Sequence, residues 1–193
     1  MGQLKIETTD LQDVKLITPQ VFGDQRGFFT EAYSQRDFQA GGINYNFVQD
    51  NHSWSSKKGI LRGLHFQNGQ AAQTKLVRVV SGMIWDVIVD LRAGSPTYLK
   101  WQGYLLSEIN HRQLLIPKGF AHGFVTLTDN VNFLYKCDNY YDAQADAGIS
   151  YLDEQLNIEW PVDLKQVIVS TKDAHQPSLS EFLENNPFVY GEI

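Results

Sequence analysis

Met83-Ile-Trp-Asp-Val-Ile-Val-Asp-Leu91 says most about the fold, because its hydrophobicity alternates with the two-residue period of a β-strand. One face is wholly apolar and consists of Met83, Trp85, Val87, Val89 and Leu91. The other face is mixed and consists of Ile84, Asp86, Ile88 and Asp90. We therefore expect the apolar face to pack in a core and the mixed face to meet solvent, a cavity or a partner.

Further runs of apolar and β-branched residues also indicate strands, and Gly, Pro, Asn or Asp turns separate many of them. They span residues 15–22, 59–66, 75–80, 99–106, 112–117, 123–127, 131–137 and 166–170. Helix signals are few: Ser34 can cap a short helix through Phe38, and Ser178 with Glu181 forms a capping box. Many short strands with little helix between them predict an all-β antiparallel sandwich or barrel.

The composition restricts the class of protein. The chain has 193 residues, 42% of them hydrophobic and 12% aromatic, which predicts one folded domain over residues 1–193. A net charge of −6 argues against a nucleic-acid partner, although a pocket can still be locally basic. The single cysteine, Cys137, forms no intrachain disulfide and is expected to be a small buried side chain. Without an evident signal peptide or membrane span, we expect a cytoplasmic protein with no membrane partner.

Common catalytic signatures are missing from the sequence. There is no Gly-x-Gly-x-x-Gly, P-loop, Gly-x-Ser-x-Gly or Cys-x-x-Cys motif, which disfavours nicotinamide, ATP and acyl-serine mechanisms. The histidines are scattered and never form His-x-His; they are His52, His65, His111, His122 and His175. This spacing gives no support for a metal site and we expect none, although assembly of a site in three dimensions stays open.

Gly59-Ile-Leu-Arg-Gly-Leu-His-Phe-Gln67, followed by Lys75, is the main candidate for chemistry. It combines a base whose pKa lies near neutrality with two cations, which suits proton removal from carbon on an anionic substrate. In a regular strand, however, Arg62 and His65 point to opposite faces. If both serve one pocket, the strand must bend or bulge, and Gly63 is the plausible place.

Each candidate also has an ordinary structural interpretation. His65 and His122 can be structural histidines, Lys75 an exposed strand-end lysine, and Tyr135 a core residue whose hydroxyl needs a partner. The carboxylate of Asp173 can lie on the surface or orient a histidine. The guanidinium of Arg26 can belong to a turn or bind phosphate beside an aromatic ring.

Seven segments in this order resemble one known family. They are Phe22-Gly-Asp-x-Arg-Gly-Phe-Phe-x-Glu31, Val48-Gln-Asp-Asn-His-Ser53, Gly59-Ile-Leu-Arg-Gly-Leu-His65, Lys75-Leu-Val-Arg78, Ile116-Pro-x-Gly-Phe-Ala-His-Gly-Phe124, Phe133-Leu-Tyr-Lys136 and Ser170-x-Lys-Asp173. The family is that of the dTDP-4-dehydrorhamnose 3,5-epimerases of deoxysugar biosynthesis. The resemblance covers residues 15–175 or so, nearly the whole chain.

The resemblance implies a cupin-type jelly roll, a homodimer, and catalysis without metal or nicotinamide. It also implies a dTDP-4-keto-6-deoxyhexose substrate that is inverted at C5 and C3. The implied catalytic residues are His65 as base, Asp173 as its partner, Lys75 as stabiliser of the enolate at O4, and Tyr135 as proton donor on the opposite face. The implied binding residues are Arg26, Arg62 and Lys172 at the diphosphate, Phe29, Glu31, Gln49, Asn51 and Tyr141 around the nucleotide, and His122 in the sugar pocket.

Three alternatives stay open at this point. A relative that inverts only C3 or C5, or that uses another nucleotide, can share the His-Asp pair. A sugar ketoisomerase on the same barrel is disfavoured by Lys75 together with Tyr135, and a non-catalytic sugar-nucleotide-binding barrel by the intact catalytic set. The chain departs from the family pattern at Trp54, at Phe66, and in a stretch before residue 59 that is one residue longer. We expect these departures to affect only the pocket edge.

Overall fold

The computed structural model describes residues 3–192. Within that range the chain forms mainly β-strands, with three short α-helices and a 3₁₀ turn at Gly69–Ala71. The strands are β1 (Leu4–Thr8), β2 (Lys15–Pro19), β3 (Val21–Asp24), β4 (Gly27–Thr30), β5 (Gln49–Ser55), β6 (Leu61–Gln67), β7 (Lys75–Ser81), β8 (Met83–Asp90), β9 (Trp101–Ser107), β10 (Gln113–Ile116), β11 (Phe120–Thr126), β12 (Val131–Cys137) and β13 (Asp146–Gly148). The helices are α1 (Gln35–Ala40), α2 (Thr171–Ala174) and α3 (Leu179–Leu183).

Two antiparallel sheets face each other. The six-stranded sheet has the order β1-β2-β10-β7-β12-β5, and the five-stranded sheet has the order β13-β6-β11-β8-β9. A core lies between them, in which Val77 and Phe133 of the first sheet pack with Ile88 and Phe124 of the second. Among the described residues, strands β3 and β4 pair only with each other, as a separate hairpin. The predicted all-β antiparallel fold is confirmed, with a jelly-roll strand order in which sequence-distant strands are neighbours.

The outer face of the five-stranded sheet is also buried, because the C-terminal third of the chain covers it. Val87, Val89 and Leu91 pack there against residues such as Trp160 and Phe188. Strand β8 is therefore covered on both sides. Its mixed face is the one that lies between the sheets, where both aspartates are fully buried. Of the three environments expected for that face, Asp86 comes nearest to a cavity, because its carboxylate bonds to His122, which lines one.

Several strand predictions need correction. Strand 131–137 is confirmed at both ends, whereas the predicted strand 15–22 divides after Pro19 so that β3 can pair with β4. Residues 166–170 form no strand and make a single parallel bridge, Ile60 to Ile168. Strands β1, β4, β5 and β13 were not predicted. Strand β5 is mostly polar because one face lines a cavity while the other faces solvent, so it lacks an apolar stripe.

Helix signals at both predicted sites are confirmed. The Ser34 hydroxyl accepts from the Asp37 N–H at the start of α1, and Ser178 with Glu181 forms a complete capping box at α3. Helix α2, a single turn, was not predicted. Within residues 3–192, no helix combines the length and the hydrophobicity needed to cross a bilayer.

Candidate active site

Both sheets contribute walls to a cavity of about 540 Å³, here called the main cavity. A second cavity of about 470 Å³, here called the side cavity, shares four wall residues with it: His65, Lys75, Tyr135 and Lys172. Three of the four predicted catalytic residues therefore border both cavities, and the fourth, Asp173, lines the main one. The two cavities therefore adjoin at the candidate base.

A bulge in β6 brings Arg62 and His65 to the same cavity. His65 pairs with His122 on β11, whereas Arg62 pairs with Phe124, so three steps along β6 match two along β11. Gly63 lies at the extra position with φ +128°, a conformation that disfavours side chains. A Cβ there would lie 2.5 Å from the Cα of Gly123, so the close approach of the two strands also requires glycine. The predicted bend at Gly63 is confirmed.

His65 forms a hydrogen-bonded pair with Asp173. Its Nε2 lies 2.6 Å from Oδ1 of the carboxylate, whose Oδ2 accepts from the backbone N–H of Gly63 at 3.2 Å. Burial alone would raise the pKa of Asp173, but the hydrogen bonds from His65 and Gly63 outweigh it and hold the pKa below its ordinary value. The carboxylate therefore stays ionised and orients the imidazole.

The segment before α2 places Asp173 beneath the histidine. The backbone of Ile168 exchanges hydrogen bonds with Gly59 and Leu61, which fixes this segment to the start of β6. The hydroxyl of Ser170 then caps α2 by accepting from the N–H of Asp173 at 3.0 Å. Residues 166–170, which were expected to form a strand, thus form an irregular segment that positions the Asp173 carboxylate next to His65.

Lys75 and Tyr135 lie side by side on neighbouring strands of the opposite sheet. The Lys75 amine is 6.0 Å from the centroid of the Tyr135 ring. Burial lowers the pKa of Lys75, and burial raises the pKa of the Tyr135 phenol. Within residues 3–192 the Lys75 amine forms no salt bridge, so its positive charge is available to a ligand in the cavity.

His122 faces the main cavity from β11 and is held by groups on two sides. Its Nε2 lies 2.8 Å from Oδ2 of the fully buried Asp86 on β8. Its ring stacks on Phe133, with centroids 6.0 Å apart and an interplanar angle of 26°. The site thus contains a second His-Asp pair. The sequence pattern correctly assigned Asp86 to the mixed face of β8, but Asp86 was not predicted as a functional residue.

Cationic and amide groups surround the cavities. The guanidinium of Arg62 lines the main cavity and is held by the hydroxyl of Ser55 and the carbonyl of Trp54. Lys172 borders both cavities and forms a salt bridge with Asp146. The predicted binding residues of the side cavity are Gln49, Asn51 and Tyr141. The Tyr141 hydroxyl also bonds to Asp146, a residue that sequence reasoning missed because an aspartate two residues before a glycine is typical of an ordinary turn.

Three predicted binding residues lie elsewhere. Within residues 3–192, the walls of the main and side cavities include none of Arg26, Phe29 and Glu31. Arg26 is at the turn of the β3–β4 hairpin, where it pairs with Asp24, and Phe29 is exposed on the same hairpin. The structure therefore does not bring these residues together with His65 in one chain.

The two single-residue departures from the family pattern have different positions. Trp54 is exposed on the solvent face of β5, and its backbone carbonyl accepts a hydrogen bond from Arg62. Phe66 is buried and borders the side cavity. Cys137 is a buried free thiol, as expected, and burial raises its pKa to about 11.

Comparison with known proteins identifies the family. The family model described as dTDP-4-dehydrorhamnose 3,5-epimerase matches residues 8–181. A protein of that name from Salmonella typhimurium is 51% identical over 176 residues, which cover 91% of this chain and 95% of the relative.

Solved structures agree with the sequence match. A dTDP-4-dehydrorhamnose 3,5-epimerase from Bacillus anthracis, crystallised with TDP and PPi bound, has a TM-score of 0.89 and 51% identity, covering 92% of this chain and 100% of the other. A dTDP-6-deoxy-D-glucose-3,5-epimerase from Legionella pneumophila, in complex with dTDP-4-keto-L-rhamnose, has a TM-score of 0.87 and 47% identity, covering 92% and 94%. This chain therefore belongs to the dTDP-4-dehydrorhamnose 3,5-epimerase family, whose cupin-type jelly roll it shares.

Proposed function

We propose that this protein is an isomerase that inverts C3 and C5 of dTDP-4-dehydro-6-deoxy-D-glucose and so forms dTDP-4-dehydro-L-rhamnose. The observation that carries the proposal is the His65–Asp173 pair, which faces Lys75 and Tyr135 across one cavity. Membership of the family supports the substrate, because a relative with 47% identity binds dTDP-4-keto-L-rhamnose.

The base in this proposal is His65. A ketone at C4 acidifies the hydrogens on both C3 and C5, so one base can act at both carbons. Because Nε2 donates to Asp173, Nδ1 is the ring nitrogen left to accept the proton. The ionised carboxylate stabilises the imidazolium that forms, and it stays ionised because its pKa is below the ordinary value.

Lys75 stabilises the enolate. Proton removal moves negative charge to O4, and an ammonium without a salt-bridge partner in residues 3–192 supports that oxygen best. The buried position of the amine strengthens this interaction, since water screens it little.

Tyr135 returns the proton. Inversion requires delivery to the ring face opposite the base, and Tyr135 belongs to the sheet that faces His65. Burial raises the pKa of the phenol, so the hydroxyl is protonated at neutral pH and available as an acid.

The remaining polar groups bind the substrate. Arg62 and Lys172 hold the diphosphate as charge-assisted hydrogen-bond donors, and His122 lines the sugar pocket. Gln49, Asn51 and Tyr141 lie around the nucleotide in the side cavity. Binding these remote groups positions the reacting sugar between His65 and Tyr135.

The proposal includes a homodimer in which the β3–β4 hairpin serves the other copy. The hairpin belongs to neither sheet and exposes Phe22, Phe28 and Phe29, an apolar surface typical of an interface. A second copy would bring Arg26, Phe29 and Glu31 to a nucleotide that they do not reach within one chain.

Mixing two inactive variants tests this arrangement. If the hairpin acts across the dimer, subunits with Arg26→Ala and subunits with His65→Ala re-form about a quarter of the active sites after mixing and exchange. No recovery of activity, in a mixture shown by mass spectrometry to contain heterodimers, would contradict a shared site. Size-exclusion chromatography with light scattering checks the oligomeric state itself.

Solvent exchange tests the proposed reaction. Incubation with the keto sugar nucleotide in D2O should place deuterium at both C3 and C5, as read by NMR. Exchange at one carbon would reduce the activity to that of a mono-epimerase, and binding without exchange would leave a non-catalytic binding protein.

The proposal further comprises one epimerase domain over residues 1–193, of which residues 1, 2 and 193 lie outside the described residues. It also comprises a cytoplasmic location and a reaction without cofactor. Metal analysis of fully active protein tests the last point: stoichiometric zinc or iron would contradict it.

A further inference from the structure

Residues 138–145, here called the β12–β13 loop, carry a tyrosine that is largely exposed. Tyr141 lines the side cavity and is 58% exposed, and its hydroxyl donates to Oδ2 of Asp146 at 3.1 Å. An exposed ring on a loop without regular structure has few packing contacts to fix it. Its position therefore depends on the groups that hold the backbone of the loop.

Two glutamine side chains from the sheets hold the backbone around Tyr141. The carbonyl of Tyr140 accepts from Nε2 of Gln67 at 3.1 Å, and the N–H of Tyr141 donates to Oε1 of Gln49 at 3.0 Å. The N–H of Asp142 donates to Oε1 of Gln67 at 2.7 Å. The peptide groups on both sides of Tyr141 are thus bonded to strands, which places the ring before a ligand arrives.

Gln67 is the buried member of this pair, with 5% exposure. Its Nε2 donates to the carbonyls of Ala71 and Tyr140, so both N–H groups of the amide are in use, and its Oε1 accepts from Asp142. The amide therefore has no N–H left to offer a ligand, although Gln67 borders the side cavity. Its influence on a ligand passes through the loop that it holds.

The same end of β6 also fixes the ring of Tyr141. Gln67 lies opposite Asp146 in the β6–β13 pairing, and Asp146 accepts from the Tyr141 hydroxyl. His65, the proposed base, precedes Gln67 by two residues on β6, and both border the side cavity. One strand thus sets the position of Tyr141 relative to the base.

We propose that Gln67 is a positioning residue for substrate binding, which holds Tyr141 against the nucleotide without touching the substrate itself. This inference rests on the proposed function and explains how its nucleotide subsite is built. Stacking of a base on an aromatic ring depends on the placement of that ring. Loss of Gln67 should therefore weaken nucleotide binding and leave proton transfer intact, since the His65–Asp173 pair is untouched.

Gln67→Met is the first test, because methionine keeps the length of the side chain but removes all three hydrogen bonds. We expect the Kd for dTDP, measured by isothermal titration calorimetry, to rise about tenfold. With the keto sugar nucleotide, KM should rise about tenfold while kcat stays within about threefold of the wild type. A wild-type Kd for dTDP, or a loss confined to kcat, would overturn the proposal.

Tyr141→Ala shows whether Gln67 acts through the loop. Alone, this substitution should raise the Kd for dTDP about tenfold, the loss expected for one stacking contact. Adding Gln67→Met should then raise the Kd by less than about twofold, because the ring that Gln67 positions is gone. Losses that multiply in the double variant would overturn the proposal, since Gln67 would then support binding independently of Tyr141.

Gln102→Met is the matched control. Oε1 of Gln102 accepts from the Tyr104 hydroxyl at 2.6 Å, and within residues 3–192 neither residue belongs to the walls of the main or side cavity. This variant should leave the Kd for dTDP unchanged.

Gln67→Glu provides the same comparison if the methionine variant does not fold, because it keeps an acceptor for Asp142 but loses both donors. Its Kd for dTDP should also rise. Wild-type protein that binds no dTDP would overturn the proposed function together with this inference. Wild-type affinity for dTDP in a folded Gln67 variant would overturn this inference alone.

Discussion

The two His-Asp pairs of the site share their chemistry and differ in their surroundings. His65 with Asp173 and His122 with Asp86 are bonded at 2.6 and 2.8 Å through the same ring nitrogen. The His65 side chain is 32% exposed, and that of His122 is 9% exposed. A ring that water reaches can exchange its proton after each half-reaction, whereas an enclosed ring is held in one orientation. The proposed mechanism therefore assigns the base to His65 and not to His122, because substrate and solvent have more access to the His65 ring.

Replacing each histidine in turn tests whether the two pairs differ in role, and it has the largest expected effect. His65→Gln should lower kcat by about 10⁴-fold, at the upper end for loss of a general base. His122→Gln should lower kcat by only about tenfold, because it removes a positioning contact. Steady-state kinetics at saturating substrate, with circular dichroism as the control for folding, measures both. Equal losses would mean that the two pairs share the proton transfer.

Tyr135→Phe tests the proposed proton donor on the face of the sugar opposite His65. Epimerised product should fall by about 10³-fold because the proton donor is gone. His65 remains intact, so deuterium should still enter the recovered substrate with retention of configuration. NMR of substrate and product after incubation in D2O separates the two events, and loss of all exchange in this variant would contradict the division of roles.

Asp173→Asn has a smaller expected effect, a loss of about 10²-fold in kcat, because the imidazolium loses its counter-charge but the base remains. Stability should respond as well. Asp173 has a folded-state pKa below its ordinary value, so it stabilises the fold above the unfolded pKa of about 3.9 and loses this contribution as pH falls through the folded value.

Calorimetry from pH 7 to pH 3 checks that sign. The difference in Tm between the wild type and Asp173→Asn should shrink below pH 4. A difference that grows on acidification would show that folding raises the pKa of this carboxyl instead of lowering it.

Much of the catalytic geometry was predictable from sequence because it depends on local chain geometry. Arg62 and His65 can share a cavity only if β6 is irregular, and Gly63 was the residue able to provide it. The capping box at Ser178 and the strand at 131–137 likewise follow from short-range rules.

Other parts depend on contacts that no local pattern contains. Strand β5 is mostly polar because it lines a cavity. Residues 167–169 are all β-branched, yet residues 166–170 form one parallel bridge, Ile60 to Ile168, and no strand. Asp86 could be placed on the mixed face of β8, but its pairing with His122 comes from the alignment of β8 with β11. The hairpin with Arg26 lies apart from both cavities, although the sequence motifs had assigned Arg26 and the cavity residues to a single site.

A deuterium-exchange assay of His65→Gln is the most direct test of whether His65, with Asp173, is the base that removes the protons from C3 and C5. The variant, folded and able to bind the sugar nucleotide, is incubated in D2O, and deuterium at C3 and C5 of the recovered substrate is read by NMR. We expect no enzymatic exchange at either carbon. Exchange at C3 or C5 at the wild-type rate would contradict it and would transfer the role of base to another group in the cavity.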